Sequence, residues 1–147
     1  MIKPDYSTDP ATVDITFVMQ SNPRYLPIVR AMVGQLASVT GFPESDSRAL
    51  VLAMDEALAN VIRHAYHGDT SRRIELECHA VQGGLQFRIR DTGEPPDPAR
   101  IRARPLDCDR AGGLGTHIIH QVMDSVSYCT SAEGNCFTAS KQLRRNS

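Results

Sequence analysis

Three polar groupings in the sequence carry residue types that could do chemistry. The first consists of Glu56, Asn60 and His64, which follow one another at intervals of four residues. In an α-helix such residues advance by about 40° per step, so a carboxylate, an amide and an imidazole would share one slowly twisting stripe. Asn60 could then offer a carbonyl oxygen to a hard cation, and Glu56 could act as a base on a water or a hydroxyl. A solvated helix face with local hydrogen bonds is the competing interpretation.

The second grouping is the Asp-Thr-Gly sequence at residues 91–93, which follows an apolar stretch. The carboxylate of Asp91 only accepts hydrogen bonds, so it could receive them from an exocyclic amine. Gly93 lacks a Cβ, and a flat ring could therefore lie against its backbone. An ordinary turn after a strand is the alternative interpretation.

The third grouping is a glycine-rich run ahead of an apolar segment, made of Gly112, Gly113, Leu114, Gly115 and Thr116. Glycines before a helix leave backbone N–H groups free to face an anion, and the helix dipole favours negative charge there. The run lacks the Lys-Ser/Thr ending of a P-loop and the full spacing of a dinucleotide fingerprint, so neither motif is expected. A flexible lead into a helix remains the alternative.

The elements that must position these groupings follow from the spacing of apolar residues. In order, the spacing predicts a strand over 13–19, helices over 25–40 and 43–66, a hairpin over 72–91, a helix over 114–123 and a hairpin over 125–143. Residues 94–111 hold four prolines and no sustained periodicity, which predicts an irregular loop with a short helix around 99–103. The order predicts an α+β fold, a two-layer α/β sandwich whose mainly antiparallel mixed sheet carries about three helices on one face.

The second helix has the most strongly patterned sequence. Its predicted apolar stripe consists of Leu50, Met54, Leu58, Val61 and Ala65. This stripe would pack on the sheet and leave the Glu56 stripe on another side of the helix. The polar grouping is therefore expected to face away from the core.

Composition narrows the class of protein. The chain has 147 residues, with 16 Lys plus Arg against 17 Asp plus Glu, and this size and balance predict one globular domain without the basic excess of a nucleic-acid binder. No apolar run approaches the roughly 20 residues of a membrane helix and the start is polar, so a cytoplasmic protein is expected. The cysteines are Cys78, Cys108, Cys129 and Cys136. They include no C-x-x-C pair, which predicts reduced thiols rather than a zinc site or a disulfide framework.

The order of the groupings resembles the GHKL, or Bergerat-fold, ATPase superfamily. Residues 54–66, with the sequence MDEALANVIRHAY, look like the N box of its anti-sigma-factor serine/threonine kinases. The sequence DTGEPP at residues 91–96 is similar to the first glycine box of that family, and GGLG at residues 112–115 is similar to the second. The resemblance covers about residues 12–143, and the N box is its specific part.

The resemblance implies ATP bound with Mg²⁺ between the N-box helix and the loop. By this likeness Asn60 would ligate Mg²⁺, and Glu56 would be the catalytic base with His64 in support. Asp91 would accept from the adenine amine and Gly93 would line the adenine pocket. The residues implied at the phosphates are Gly113, Leu114, Gly115 and Thr116.

The activity implied by the resemblance is phosphorylation of a serine or threonine on an anti-sigma-factor antagonist. The same domain would bind a sigma factor, with a homodimer possible, and would regulate transcription through partner switching without direct contact to nucleic acid or membrane. Phosphoryl transfer mainly requires positioning and charge neutralisation, which these residue types can supply. The main alternative is a catalytically silent module that sequesters a regulatory protein under nucleotide control.

The sequence departs from the pattern of this family at two places, and two other functions are weighed against it. The first glycine box lacks its second glycine, and Gly134-Asn135 stands where relatives often have Gly-Thr. His64 and His67 with Glu56 could instead ligate zinc, although no third ligand has a compelling position. The ATP-binding domain of a histidine kinase is disfavoured, because no dimerisation helices precede the domain and its loop is short.

Overall fold

The computed structural model of the chain describes residues 14–81, 83–97 and 111–144, and for residues 111–116 it describes the backbone alone. The elements in chain order are β1 (Ile15–Gln20), a 3₁₀ turn (Pro23–Tyr25), α1 (Leu26–Thr40), α2 (Glu44–Asn60), a π turn (Val61–Ala65), β2 (Arg73–Val81), β3 (Gly84–Asp91), α3 (Ala111–Val122), β4 (Ser125–Ser131) and β5 (Gly134–Gln142). Within these ranges, no helix is long and apolar enough to cross a membrane.

The sheet has five strands in the order β1-β2-β3-β5-β4, and all the strand pairs described are antiparallel. One face carries the buried apolar residues, and α2 lies against both α1 and α3. The buried residues of the central hairpin alternate as predicted: Ile74, Leu76 and Cys78 in β2, and Leu85, Phe87 and Ile89 in β3. The predicted α+β sandwich with three helices is confirmed, and its described strand pairs are antiparallel rather than mixed.

The boundaries of α1 follow the turn residues that surround it. Asn22 accepts a hydrogen bond from the backbone N–H of Arg24 and so starts the 3₁₀ turn that leads into the helix. Gly41 ends α1 in the left-handed conformation, with φ of 109°, and its N–H donates to Ala37 and Ser38. The start and end predicted for this helix are confirmed.

The second helix does not continue as an α-helix to residue 66, as the spacing predicted. It becomes a π turn after Asn60, in which the Tyr66 N–H donates to the Val61 carbonyl at 3.0 Å. The Gly68 N–H then reaches back to the Ile62 carbonyl at 2.8 Å. Both hydrogen bonds span more residues than the bond to residue i−4 in an α-helix, so the turns they close are wider.

The π turn changes which side chains face the core. Ile62 and Tyr66 are buried, whereas Val61 and Ala65, which were predicted to end the apolar stripe, are only half-buried. The predicted stripe is therefore wrong in its last turn. Regular α periodicity does not allow for the wider turn, and so it places the wrong residues inward.

The third helix begins at Ala111, three residues before the predicted start at Leu114, so the glycine-rich run lies inside its first turns. Glycine costs only about 1 kcal/mol relative to alanine in a helix, so a short glycine run does not by itself prevent a first turn. At the other end, the Lys141 ammonium donates to the Val122 carbonyl at 3.0 Å. The helix predicted at 99–103 and Cys108 lie outside the described residues.

Candidate active site

A cavity of about 450 Å³ lies between the end of α2 with its π turn on one side and the strands β3, β4 and β5 on the other. Its lining residues are Ala57, Asn60, Val61, His64, Ala65, His67, Asp91, Glu94, Pro95, Pro96, Asp97, Tyr128, Asn135 and Phe137. Apolar walls with a few polar groups are typical of small-molecule sites. Two of the three polar groupings therefore contribute to one cavity.

Asp91 lies at the floor of this cavity as the last residue of β3, with 9% of its surface exposed. Its Oδ1 accepts hydrogen bonds from the Gly93 N–H at 2.9 Å and from Asn135 Nδ2 at 2.8 Å. Two donors on one oxygen fix the carboxylate and leave Oδ2 as the atom to accept from a ligand. Asp91 thus has the orientation that recognition of an amine requires.

Asn135 is a site residue that the sequence interpretation missed. It lies directly opposite Asp91 in the register of β3 and β5 and is 8% exposed. Besides Asp91, its Nδ2 donates to the Gly93 carbonyl at 3.0 Å, and its Oδ1 accepts from Thr130 Oγ1 at 3.1 Å. The signal available in the sequence was the departure from Gly-Thr at this position, whereas its contact with Asp91 follows only from the register between β3 and β5.

Two glycines allow the backbone to close around this floor. A Cβ on Gly93 would lie 2.3 Å from the Ala65 carbonyl oxygen, and the next residue, Glu94, donates its N–H to that same oxygen at 2.8 Å. A Cβ on Gly134 would lie 2.4 Å from the Asp91 carbonyl oxygen, and Gly134 has φ of 128°. Gly93 does not line the cavity as expected; its bare side faces the π turn.

The helical side of the cavity carries the first polar grouping together with an arginine. Arg63 Nη2 donates to Glu56 Oε1 at 2.8 Å and to Asn60 Oδ1 at 2.9 Å. Asn60 and His64 line the cavity, whereas Glu56 lies beside it in the ion pair with Arg63. Arg63 was not singled out from the sequence, although its position three residues after Asn60 places it on the same helix surface.

An aromatic pair forms the apolar wall opposite the helix. Tyr128 and Phe137 are direct cross-strand partners whose rings meet edge to face, with centroids 5.2 Å apart. Burial raises the pKa of Tyr128 to about 12, so the phenol stays neutral at physiological pH. The wall therefore offers an apolar surface rather than a charge.

The zinc alternative finds no support in the described residues. His67 has φ of 51° and places Nε2 2.5 Å from Glu94 Oε2, while Glu56 is bonded to Arg63. Across residues 14–81, 83–97 and 111–144, no three His, Cys, Asp or Glu side chains come together to hold a metal. Glu56, His64 and His67 do not form the zinc site considered above.

The residues at the helical side fit a hard cation. Asn60 Oδ1 and the Glu56 carboxylate are possible oxygen ligands for a metal, and they lie close enough to accept hydrogen bonds from the same arginine nitrogen. Mg²⁺ prefers oxygen ligands and takes few of them from the protein. The donor set is therefore suited to Mg²⁺ more than to a soft metal.

The glycine-rich run has a described backbone only. Gly113, Leu114, Gly115 and Thr116 lie in the first turns of α3, a helix that packs against α2. The first N–H groups of a helix have no partner within it, and so they can face an anion. Because the helix already starts at Ala111, the N–H groups of Gly115 and Thr116 are used within it and only those of its first residues can face an anion. The individual roles stay predictions.

Comparison with known proteins identifies relatives of this arrangement. The family model for the histidine kinase-like ATPase domain matches residues 19–141. A serine-protein kinase RsbW of Listeria innocua is 29% identical over 121 residues, which are 76% of each chain. A serine-protein kinase RsbW of Halalkalibacterium halodurans is 27% identical over 125 residues, covering 80% of this chain and 75% of its own.

Solved structures show the same fold. The RsbU and RsbW domains of Rv1364c from Mycobacterium tuberculosis match with a TM-score of 0.66 and 18% identity, over 90% of this chain and 33% of that chain. A histidine kinase domain from Erythrobacter litoralis matches with a TM-score of 0.54 and 18% identity, over 82% of this chain and 60% of that one. At these identities the likeness concerns the fold alone.

Proposed function

Because this chain belongs to the histidine kinase-like ATPase domain family, we propose that it is an ATP-dependent serine-protein kinase of the anti-sigma-factor type. Relatives at 27 to 29% identity carry the name serine-protein kinase RsbW. The observation that carries the proposal is the cavity whose floor is the anchored Asp91 and whose helical side presents Asn60. One ATP-binding domain over residues 1–147 is proposed.

Adenine is proposed to bind at the floor of the cavity. Asp91 Oδ2 would accept from the exocyclic amine while Oδ1 stays bonded to Gly93 and Asn135. Gly93 would shape the pocket indirectly, by letting the strand end approach Ala65. The phosphates would extend toward the first turn of α3.

The phosphate end is proposed to use the following residues: Gly113, Leu114, Gly115 and Thr116 through the start of α3, and His64 in support. Asn60 would hold Mg²⁺, which when bound neutralises charge on the phosphate oxygens. Arg63 would release Asn60 Oδ1 for this and remain near the phosphates. The roles of Asn60 and His64 are supported by their position in the cavity lining, and that of the glycine-rich run by the packing of its helix against α2.

Glu56 is proposed as the base that accepts the proton of the substrate hydroxyl. Its carboxylate shares Arg63 Nη2 with Asn60, which lines the cavity, and its side chain is 25% exposed. Replacement by Gln keeps the shape but removes the proton acceptor. Glu56→Gln should therefore abolish phosphate transfer and leave the ATP dissociation constant within a few-fold of wild type, as measured with labelled ATP and by calorimetry. Unchanged transfer in the variant would remove Glu56 from this role.

Asn60 gives the test of the cation site. Asn60→Ala removes the only amide oxygen on this side of the cavity among the described lining residues. We expect ATP binding in the variant to lose its dependence on Mg²⁺, while binding without added cation is retained. Leu52→Ala, which changes an exposed residue of the same helix, is the matched control. A Mg²⁺ titration that matches wild type would contradict the assignment.

The proposed partners are an anti-sigma-factor antagonist as phosphoacceptor and a sigma factor as a bound protein, with a homodimer possible and a cytoplasmic location. The test is to mix the purified protein and labelled ATP with candidate antagonist proteins. Label on a serine or threonine of one candidate would support the proposal.

A nucleotide-controlled binding module without transfer activity is the second candidate. It is favoured by one contact, the Arg63 ion pair that occupies the Glu56 carboxylate. A protein that binds ATP and a partner but transfers no label to any candidate would support this candidate over the kinase.

A further inference from the structure

The sheet face away from the helices brings together two cysteines that are seven residues apart in the sequence. Cys129 in β4 and Cys136 in β5 are direct partners in the antiparallel register. Their neighbours Tyr128 and Phe137 face the core, so by alternation both thiols project from the opposite face. Cys129 is exposed and Cys136 is half-buried, and both are reduced in this structure.

We propose that Cys129 and Cys136 form a redox-active dithiol, which a peroxide oxidises to a cross-strand disulfide that weakens nucleotide binding on the other side of the hairpin. Directly opposite residues in antiparallel strands have Cα atoms about 4.5–5.5 Å apart. A disulfide requires Cα atoms about 4.4–6.8 Å apart. The backbone therefore places the two cysteines within reach of a disulfide that needs only a small local approach of the two strands.

The chemistry balances with peroxide as the oxidant. One thiolate attacks a peroxide oxygen, the O–O bond breaks, and a sulfenic acid forms with release of one water. The second thiol then attacks the sulfenic sulfur, and the S–S bond forms as a second water leaves. Two thiols lose two hydrogens in total, and one hydrogen peroxide is reduced to two waters.

An ion-paired arginine lies beside the cysteine pair. On its other side Cys136 lies directly opposite Arg90 in β3. The Arg90 guanidinium donates to Glu77 Oε1 at 2.9 Å, and this contact raises the pKa of Arg90, so a positive charge is fixed beside the pair. Because the guanidinium is shared with the Glu77 carboxylate, the proposal rests on the register of the two cysteines rather than on this charge.

The remaining described cysteine behaves differently. Cys78 lies in β2 on the core face and is completely buried. Its burial, and secondarily the charges of Asp14 and Glu77, raise the pKa of the Cys78 thiol to about 12. Cys78 is thus expected to remain a thiol under oxidant, because the thiolate is the reactive form.

The disulfide would act on the cavity because the same two strands line it. The residues that flank the cysteines on the cavity side are Tyr128 with Phe137 and Thr130 with Asn135. Opposite Cβ atoms lie about 4.5–5.5 Å apart, whereas a disulfide holds them at about 3.8 Å. Drawing the strands together on the open face would spread them on the cavity face and shift Asn135 relative to Asp91.

The first experiment tests the bond itself on the full chain. The protein is treated with hydrogen peroxide, the remaining thiols are alkylated, and the masses of the tryptic peptides are measured by mass spectrometry. Cys129 and Cys136 share the peptide 111–141, whereas Cys78 and Cys108 fall in peptides 74–88 and 103–110. We expect peptide 111–141 to lose two hydrogens, about 2 Da, reversibly with dithiothreitol.

Single substitutions provide the matched controls. Cys129→Ser should abolish the internal bond, whereas Cys108→Ser should leave it unchanged. Two free thiols in peptide 111–141 after peroxide treatment, or a disulfide from either cysteine to Cys108, would overturn the proposal. These outcomes do not depend on nucleotide binding.

The second experiment tests the coupling, which rests on the proposed function. ATP affinity is measured by calorimetry on reduced, oxidised and re-reduced protein. We expect several-fold weaker binding after oxidation, recovery after reduction, and no response in Cys129→Ser. Equal affinity in the oxidised and reduced wild type would overturn the coupling. Absence of ATP binding in reduced protein would instead refute the proposed function. The peptide masses would then still show whether the disulfide forms.

Discussion

The floor and the helical side of the cavity are built in opposite ways. At the floor, Asp91 and Asn135 are nearly buried and hold each other through strand pairing and short hydrogen bonds. At the helical side, Glu56 and Asn60 are held by the side chain of Arg63, which is 53% exposed. Paired backbone defines the first region, and an exposed surface side chain defines the second.

The two regions therefore differ in how much free energy it costs to change their geometry. A buried hydrogen-bond network loses the full desolvation cost if one partner is removed, so its geometry is strongly maintained. An exposed ion pair contributes only about 0–1 kcal/mol, so it can open at little cost. The floor, proposed to bind the base, is thus held in one geometry, whereas the helical side, proposed for catalysis, can rearrange at little cost.

The largest expected effect comes from breaking the rigid region at Gly93. Gly93→Ala would place a Cβ 2.3 Å from the Ala65 carbonyl oxygen, between two backbone segments. We expect a loss of about 3 kcal/mol in the free energy of unfolding, measured by urea denaturation, together with loss of ATP binding. Gly68→Ala is the control, since φ there is 81° and nothing lies within 4 Å of the added atom. It should cost only about 1 kcal/mol. Equal stability losses in the two variants would contradict the steric argument.

The second prediction tests whether Asp91 acts through its hydrogen bonds within the floor or through a contact with ATP. Asp91→Asn replaces an acceptor oxygen by a donor, and we expect about 2–3 kcal/mol weaker ATP binding by calorimetry. The swap Asp91→Asn with Asn135→Asp restores a donor and acceptor pair between β3 and β5, but position 135 can then no longer donate to the Gly93 carbonyl. It should therefore recover part of the thermal stability and none of the ATP affinity. Recovery of both would mean that Asp91 acts only on the fold.

The smallest effect is expected at the exposed helical side. Arg63→Ala should change the free energy of unfolding by less than about 0.5 kcal/mol, because the ion pair with Glu56 is exposed. It should also raise Mg²⁺ affinity in the presence of ATP a few-fold, since Mg²⁺ no longer competes with Arg63 for Asn60 Oδ1. Arg48→Ala, which removes the exposed pair with Glu44, is the matched control for stability. A large destabilisation by Arg63→Ala would show that the helical side is as rigid as the floor.

Local patterns in the sequence were sufficient to predict the elements and much of the cavity. Alternation and helical spacing depend on neighbours within a few residues, and they predicted the two hairpins and both ends of α1. Asp91, Asn60 and His64, which the patterns singled out, all line the cavity, and their roles there stay predictions. The register between separate hairpins is a long-range property, so Asn135 was not assigned a role.

The errors concern features that tertiary contacts decide. The π turn depends on the Ala65 carbonyl meeting the end of β3, about 30 residues later in the chain, and no local period contains that information. The glycine-rich run likewise lies inside α3, where helix propensity alone predicted a later start. In both cases the prediction was correct about the element and wrong about its boundary.

The contact between the π turn and the strand end constrains how such chains can diverge. Loss of one residue from the segment Val61–Ala65 would let the helix run on regularly and rotate the Ala65 carbonyl away from Gly93. A side chain at position 93 would then no longer meet that carbonyl. Helix length and the residue at position 93 should therefore covary among homologues: chains with the wider turn keep glycine, and chains one residue shorter accept larger residues.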